Sequence, residues 1–147
     1  MQSEAPQHKP RWHYRFDNYQ RAFTLLREAI EQHQTQGGLT QLEQEGVIQR
    51  FEYTMELAWK VMADYLEYEN VVFPQKTPRT VIRKAFESCL IHAGDTWMRA
   101  LDARNQMSHV YDFKTFATVI SDIEHHYLQP MDDLHLRLLQ EIVESPA

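Results

Sequence analysis

The chain has 147 residues, a length that fits one domain and leaves little room for two. Hydrophobic residues make up 43% and charged residues 24%, which excludes wholesale disorder, and 4 Gly with 6 Pro are too few for the turns of a many-stranded sandwich or barrel. The single cysteine, Cys89, excludes an intramolecular disulfide and a Cys-rich zinc site, and a net charge of −6 speaks against a surface coated in basic charge for nucleic acid.

No apolar run reaches membrane-spanning length, and Met1-Gln2-Ser3-Glu4-Ala5-Pro6 has no apolar signal core, so a cytoplasmic protein with no membrane partner is expected. Residues 1–11 read as a flexible polar tail and 12–143 as one helical domain. In the first helix Phe16, Tyr19, Phe23, Leu26 and Ile30 recur at steps of three and four, which is one helix face, and Gly37-Gly38 ends it. Thr40-Gln41-Leu42-Glu43 has the form of a capping box, followed by a second stripe at Phe51, Met55, Ala58, Met62 and Tyr65 that ends near Glu69-Asn70. Val71-Val72-Phe73-Pro74 is extended and too isolated for a sheet. Thr77-Pro78 starts a third helix with a stripe of Ile82, Phe86 and Cys89 flanked by Val81 and Ala85. Asp95 is expected to cap a short fourth helix that buries Trp97 and Leu101. Asp112 caps the last, which carries Phe113, Phe116, Ile120, Ile123, Tyr127, Met131, Leu134 and Leu138 and is expected to kink at Pro130. Stripes of this kind on helices with short connections predict an all-α antiparallel bundle of four long helices and one short one. The surplus of aromatics makes a homodimer plausible.

Chemistry-bearing patterns are few. The chain has no Gly-rich phosphate loop, no G-x-S-x-G and no H-E-x-x-H. His125 and His126 are adjacent and point about 100° apart on a helix, so no metal site is expected. No cofactor is implied. Between Lys76 and Arg104, Lys76, Arg79, Arg83, Lys84, Arg99 and Arg104 face only Glu87, Asp95 and Asp102, a local charge of +3 that suits a phosphate-bearing ligand or is a solvated face.

Arg104-Asn105-Gln106-Met107-Ser108-His109-Val110-Tyr111-Asp112 is the one segment dense in groups suited to phosphate or proton work. On one straight helix Arg104 and His109 lie roughly 140° apart, so they can share a ligand only at a helix end or bend, or across a two-fold axis. Arg offers a planar fork of donors to a phosphate or phosphorane, and His exchanges protons near neutral pH. The same spacing also fits a structural arrangement, with Arg104 and Asn105 on helix-end carbonyls, His109 at a helix stop and Tyr111 in the core.

The string Arg104-Asn105-x-x-x-His109-x-Tyr111 resembles the R-x4-H-x-Y motif of the HEPN superfamily. Phe51-Glu52-Tyr53-Thr54-Met55-Glu56-Leu57-Ala58-Trp59-Lys60 resembles the second-helix signature of its nucleotidyltransferase substrate-binding branch, which is related to the HepT toxins. The similarity runs from about Phe16 to Leu138. It implies an up-and-down homodimer with the motif lining a cleft near the dimer contact, and a minimal nucleotidyltransferase as partner or antitoxin. This chain lacks the G-S and D-x-D signature of such an enzyme itself. Carried over from the toxins, Arg104 stabilises a phosphorane and His109 is general acid/base in metal-independent RNA cleavage. Asn105 and Ser108 bind phosphate, with Asn105 orienting it or His109, and Tyr111 accepts AMP from the partner, which silences the toxin. The alternative is a non-catalytic substrate-binding subunit that holds a nucleotide or RNA. Family members often carry an acidic residue just before the motif Arg; here it is Ala103, which removes an orienting ion pair at that point.

Overall fold

The computed structural model describes residues 9–109 and 112–144. Among them are helices and no strands: α1 (Arg11–Gln36), α2 (Gln41–Tyr68), α3 (Pro78–Glu87), α4 (Gly94–Met107), α5 (Phe113–Asp122), a π-helical turn (Ile123–Tyr127) and α6 (Leu128–Glu144). The last three run on from one another, so the described residues make five helical rods. α2 lies at the centre and packs against α1, α3, α4 and α5, while α6 closes back onto α1.

Local chemistry sets the starts. The Thr40 hydroxyl accepts from the Glu43 N–H at 3.1 Å and the Glu43 carboxylate accepts from the Thr40 N–H at 2.8 Å, the reciprocal pair expected of a capping box. Thr77 and Thr80 repeat it at α3, with Pro78 at the first helical position, and Asp112 caps α5 by accepting from the Lys114 N–H at 3.1 Å. Gly37, at φ 73°, ends α1 in the left-handed conformation.

The expected stripes of α1 and α2 are all buried: Phe16, Tyr19, Phe23, Leu26 and Ile30 meet Phe51, Met55, Ala58, Met62 and Tyr65. Tyr19 is fully enclosed, and its hydroxyl donates to the Met131 carbonyl at 2.7 Å, which ties α1 to α6.

Three local expectations are corrected. The α3 stripe is Val81, Ile82 and Ala85; Phe86 is 50% exposed and Cys89 is exposed. With only ten residues, α3 has room for one narrow buried face, and that face settles one residue away from Phe86. The α4 helix begins at Gly94 after Ala93, with no side-chain cap, so Asp95 lies inside the first turn, where its charge still suits the helix dipole. Gly94 lies under the outward Phe86 ring: a Cβ there would stand 2.9 Å from Phe86 Cδ1, so a larger residue would displace the ring. The irregularity in the last rod falls one turn before Pro130, as the π turn, in which the Leu128 N–H reaches back to the Ile123 carbonyl. The helices are also less even than expected, α3 and α4 having 10 and 14 residues against 26 and 28 for α1 and α2.

Candidate functional site

Where α4 crosses α2, the α2 signature divides into two faces. Phe51, Thr54, Met55, Leu57 and Ala58 turn into the core. Glu52, Glu56, Trp59 and Lys60, at helical steps of four, three and one, form the strip beside them; Glu56 meets Arg104 of α4, and Glu52 meets Ser108 just past its end.

The centre of the strip is the Glu56 carboxylate. Its Oε2 accepts from Arg104 Nη2 at 3.1 Å and from Trp59 Nε1 at 3.2 Å, and its Oε1 lies 3.3 Å from Lys60 Nζ. Burial pushes the Glu56 carboxyl up, but the hydrogen bonds from Trp59 and Lys60 and the charges of Lys60 and Arg104 outweigh it and hold the group below the ordinary carboxylate value. Arg104 Nη1 donates to Asn105 Oδ1 at 3.3 Å. Its Nε–H is buried with no partner among the described residues. The Ser108 hydroxyl lies 3.4 Å from Glu52 Oε2 and 3.4 Å from the Arg104 carbonyl. The Arg104 and Glu56 side chains are 31% and 33% exposed, so the pair is open to a ligand on one side.

The expected site residues fall into three groups. Arg104, Asn105 and Ser108 are brought together. His109 lies past the end of α4, as the helix-end argument requires, with its backbone N–H on the Gln106 carbonyl at 3.0 Å. Its imidazole is exposed and makes no hydrogen bond to Arg104 or to any other described residue. Tyr111 lies outside the described residues. Glu52, Glu56, Trp59 and Lys60 are the site residues that reading from the sequence missed. Their signal was the polar and aromatic side of the same string that supplied the core.

The basic segment is largely paired off: Lys76 with Glu67 at 3.1 Å, Arg79 with Asp102 at 2.6 Å, Lys84 with Glu87 at 3.5 Å and Arg104 with Glu56. It is therefore a solvated, neutralised face rather than a bare cationic track. Among the described residues no three His, Cys, Asp or Glu side chains gather as metal ligands, and no helix is long and apolar enough to cross a membrane. A polar groove of about 500 Å³ lies on the other side of α4, lined by Arg99, Asp102, Gln106, Lys114, Asp122 and Tyr127. There burial and Asp122 push the Tyr127 phenol up, against the pull of Arg99.

A helical bundle with an arginine held by a carboxylate between its second and fourth helices is the class of protein that these features define. The family described as nucleotidyltransferase substrate binding protein like matches residues 14–140, and the chain belongs to that family. A crystal structure of a protein from Thermus thermophilus is similar in fold, with a TM-score of 0.72 and 25% identity over 82% of this chain and 98% of that one. No curated protein matches the chain.

Proposed function

We propose that this protein is the substrate-binding partner of a minimal nucleotidyltransferase, and that it receives a phosphate-bearing nucleotide against Arg104, with Asn105, Ser108 and Lys60 around it. The observation that carries this reading is the half-open guanidinium of Arg104, fixed by Glu56 and Asn105 in a strip that also holds a hydroxyl, an ammonium and an indole. A guanidinium fork is matched to phosphate oxygens, and a neutral surround suits a single small anion better than a nucleic-acid backbone. Family membership supplies the nucleotidyltransferase, and two copies pairing near the motif would complete the cleft. Titration of the purified protein with AMP and ATP tests the site. Saturable binding that Arg104→Ala weakens tenfold or more (about 1.4 kcal/mol) supports it; binding indifferent to Arg104 sinks it.

A second reading is that of a HepT-like toxin, a metal-independent ribonuclease silenced by adenylylation of Tyr111. It is favoured by one observation, that α4 ends between Arg104 and His109 and leaves the imidazole exposed. Here His109 moves the proton of the ribose 2′-hydroxyl and Arg104 bears the charge on phosphorus. Purified protein that cleaves RNA, with cleavage lost in His109→Ala, would establish it. An inert wild type on RNA and in cells would leave the binding subunit. Mass spectrometry after incubation with the partner enzyme and ATP would place AMP on Tyr111 or elsewhere.

A further inference from the structure

The carboxylate that holds Arg104 has two more partners, and both belong to its own helix. Trp59 and Lys60 are three and four residues further along α2 and engage Glu56 Oε2 and Oε1 at 3.2 and 3.3 Å. If Arg104 turns away, Glu56 loses one contact of three and stays where it is. Arg104 is held less firmly: among the described residues it has, besides Glu56, only the Asn105 oxygen at 3.3 Å, its Nε–H is unpartnered, and nearly a third of its side chain is open. Lys60 and Arg104 face Glu52 and Glu56, so the strip is neutral overall and an incoming anion meets a carboxylate already on the donor it needs.

We propose that Glu56 is a specificity-determining residue: it occupies one arm of the Arg104 fork in the empty site and is exchanged there for the anionic group of the ligand, so that it sets how tightly the site takes an anion. This rests on the reading that Arg104 receives phosphate. During the exchange Arg104 Nη2 leaves Glu56 Oε2 for a ligand oxygen, while Trp59 and Lys60 keep the carboxylate in place. The negative charge beside the bound anion then lowers its affinity and disfavours a polyanion most.

Sulfate is a suitable probe because it stays a dianion across the neutral range. In calorimetric titration at low salt, Glu56→Gln should bind sulfate about tenfold tighter than wild type, because the amide keeps the shape and removes the charge. Adding Arg104→Ala to that variant should abolish the gain. Glu52→Gln, whose carboxylate touches Ser108 and not Arg104, should give a smaller gain. In the wild type itself the Arg104 Nε–H resonance should move with the same midpoint as the binding isotherm. Should Glu56→Gln bind no tighter while Arg104→Ala still abolishes binding, or should the Nε–H resonance stay fixed through saturation, the exchange is wrong and the phosphate site stands. Sulfate binding indifferent to Arg104→Ala in both backgrounds removes the phosphate site and the exchange together.

Discussion

Two arginine–carboxylate pairs stand on α2, about two turns apart, and they differ in everything but chemistry. Arg15 of α1 donates to Asp64 at 3.0 Å, with the Asp64 side chain only 5% exposed and Arg11 Nε 3.9 Å from the same oxygen. Arg104 of α4 donates to Glu56 at 3.1 Å with both side chains about a third exposed. In the first the Asp64 carboxylate is enclosed between α1 and α2, while the Arg15 side chain is 27% exposed. The second sits at the margin where α4 crosses α2, so either partner can turn to water or to a ligand. Burial, and not the ion pair as such, separates a fastening from a binding site.

The largest expected effect breaks the pair with the enclosed carboxylate. Asp64→Ala should cost about 2 kcal/mol in chemical denaturation, because it removes an enclosed carboxylate that accepts a charged hydrogen bond from Arg15, and should leave sulfate binding unchanged. A cost below about 1 kcal/mol would make the two pairs equivalent and end the comparison. Next, Arg104→Ala should weaken AMP binding tenfold or more while shifting stability by less than about 0.5 kcal/mol. A loss of stability to match Asp64→Ala would show Arg104 to be a fastening as well. Trp59→Phe removes one donor from Glu56 and keeps an aromatic ring; unfolding should register about 0.5 kcal/mol, and the Arg104 Nε–H resonance should broaden as the carboxylate gains freedom.

The smallest effect is a pH dependence. The folded protein holds the Glu56 carboxyl below its ordinary value, so the unfolded chain takes up that proton first as pH falls. The stabilisation is present above the ordinary carboxylate value and is lost as pH drops through the lowered one. Glu56→Gln should therefore flatten the acid limb of stability against pH and leave the neutral limb alone. Its partial exposure keeps the change small, and an unchanged acid limb would mean that Glu56 is held no better in the folded state than out of it.

Much of the architecture could be read along the chain. Thr40 with Glu43, Thr77 with Pro78, Asp112 and Gly37 are each complete within four residues, so their helix ends needed no tertiary knowledge. The faces of α1 and α2 were equally legible, because about four turns of three-and-four spacing leave one solution. α3 was not: with under three turns, Phe86 and Ala85 compete for the core, and the packing against α2 and α4 chooses the smaller residue. The last rod was half legible, since Pro130 announces a fault but not that it will be taken up as a π turn at residues 123–127.

For the site, the chain alone determined the motif arginine, its amide neighbour, and the helix end that separates Arg104 from His109. These are matters of spacing within a few residues. Only the tertiary structure decided that the carboxylate on Arg104 comes not from position 103, which is Ala103, but from Glu56, 48 residues earlier on another helix. The physical reason is that hydrogen bonds within one turn are written in neighbouring letters. A pair between helices depends on which faces the whole core turns toward each other.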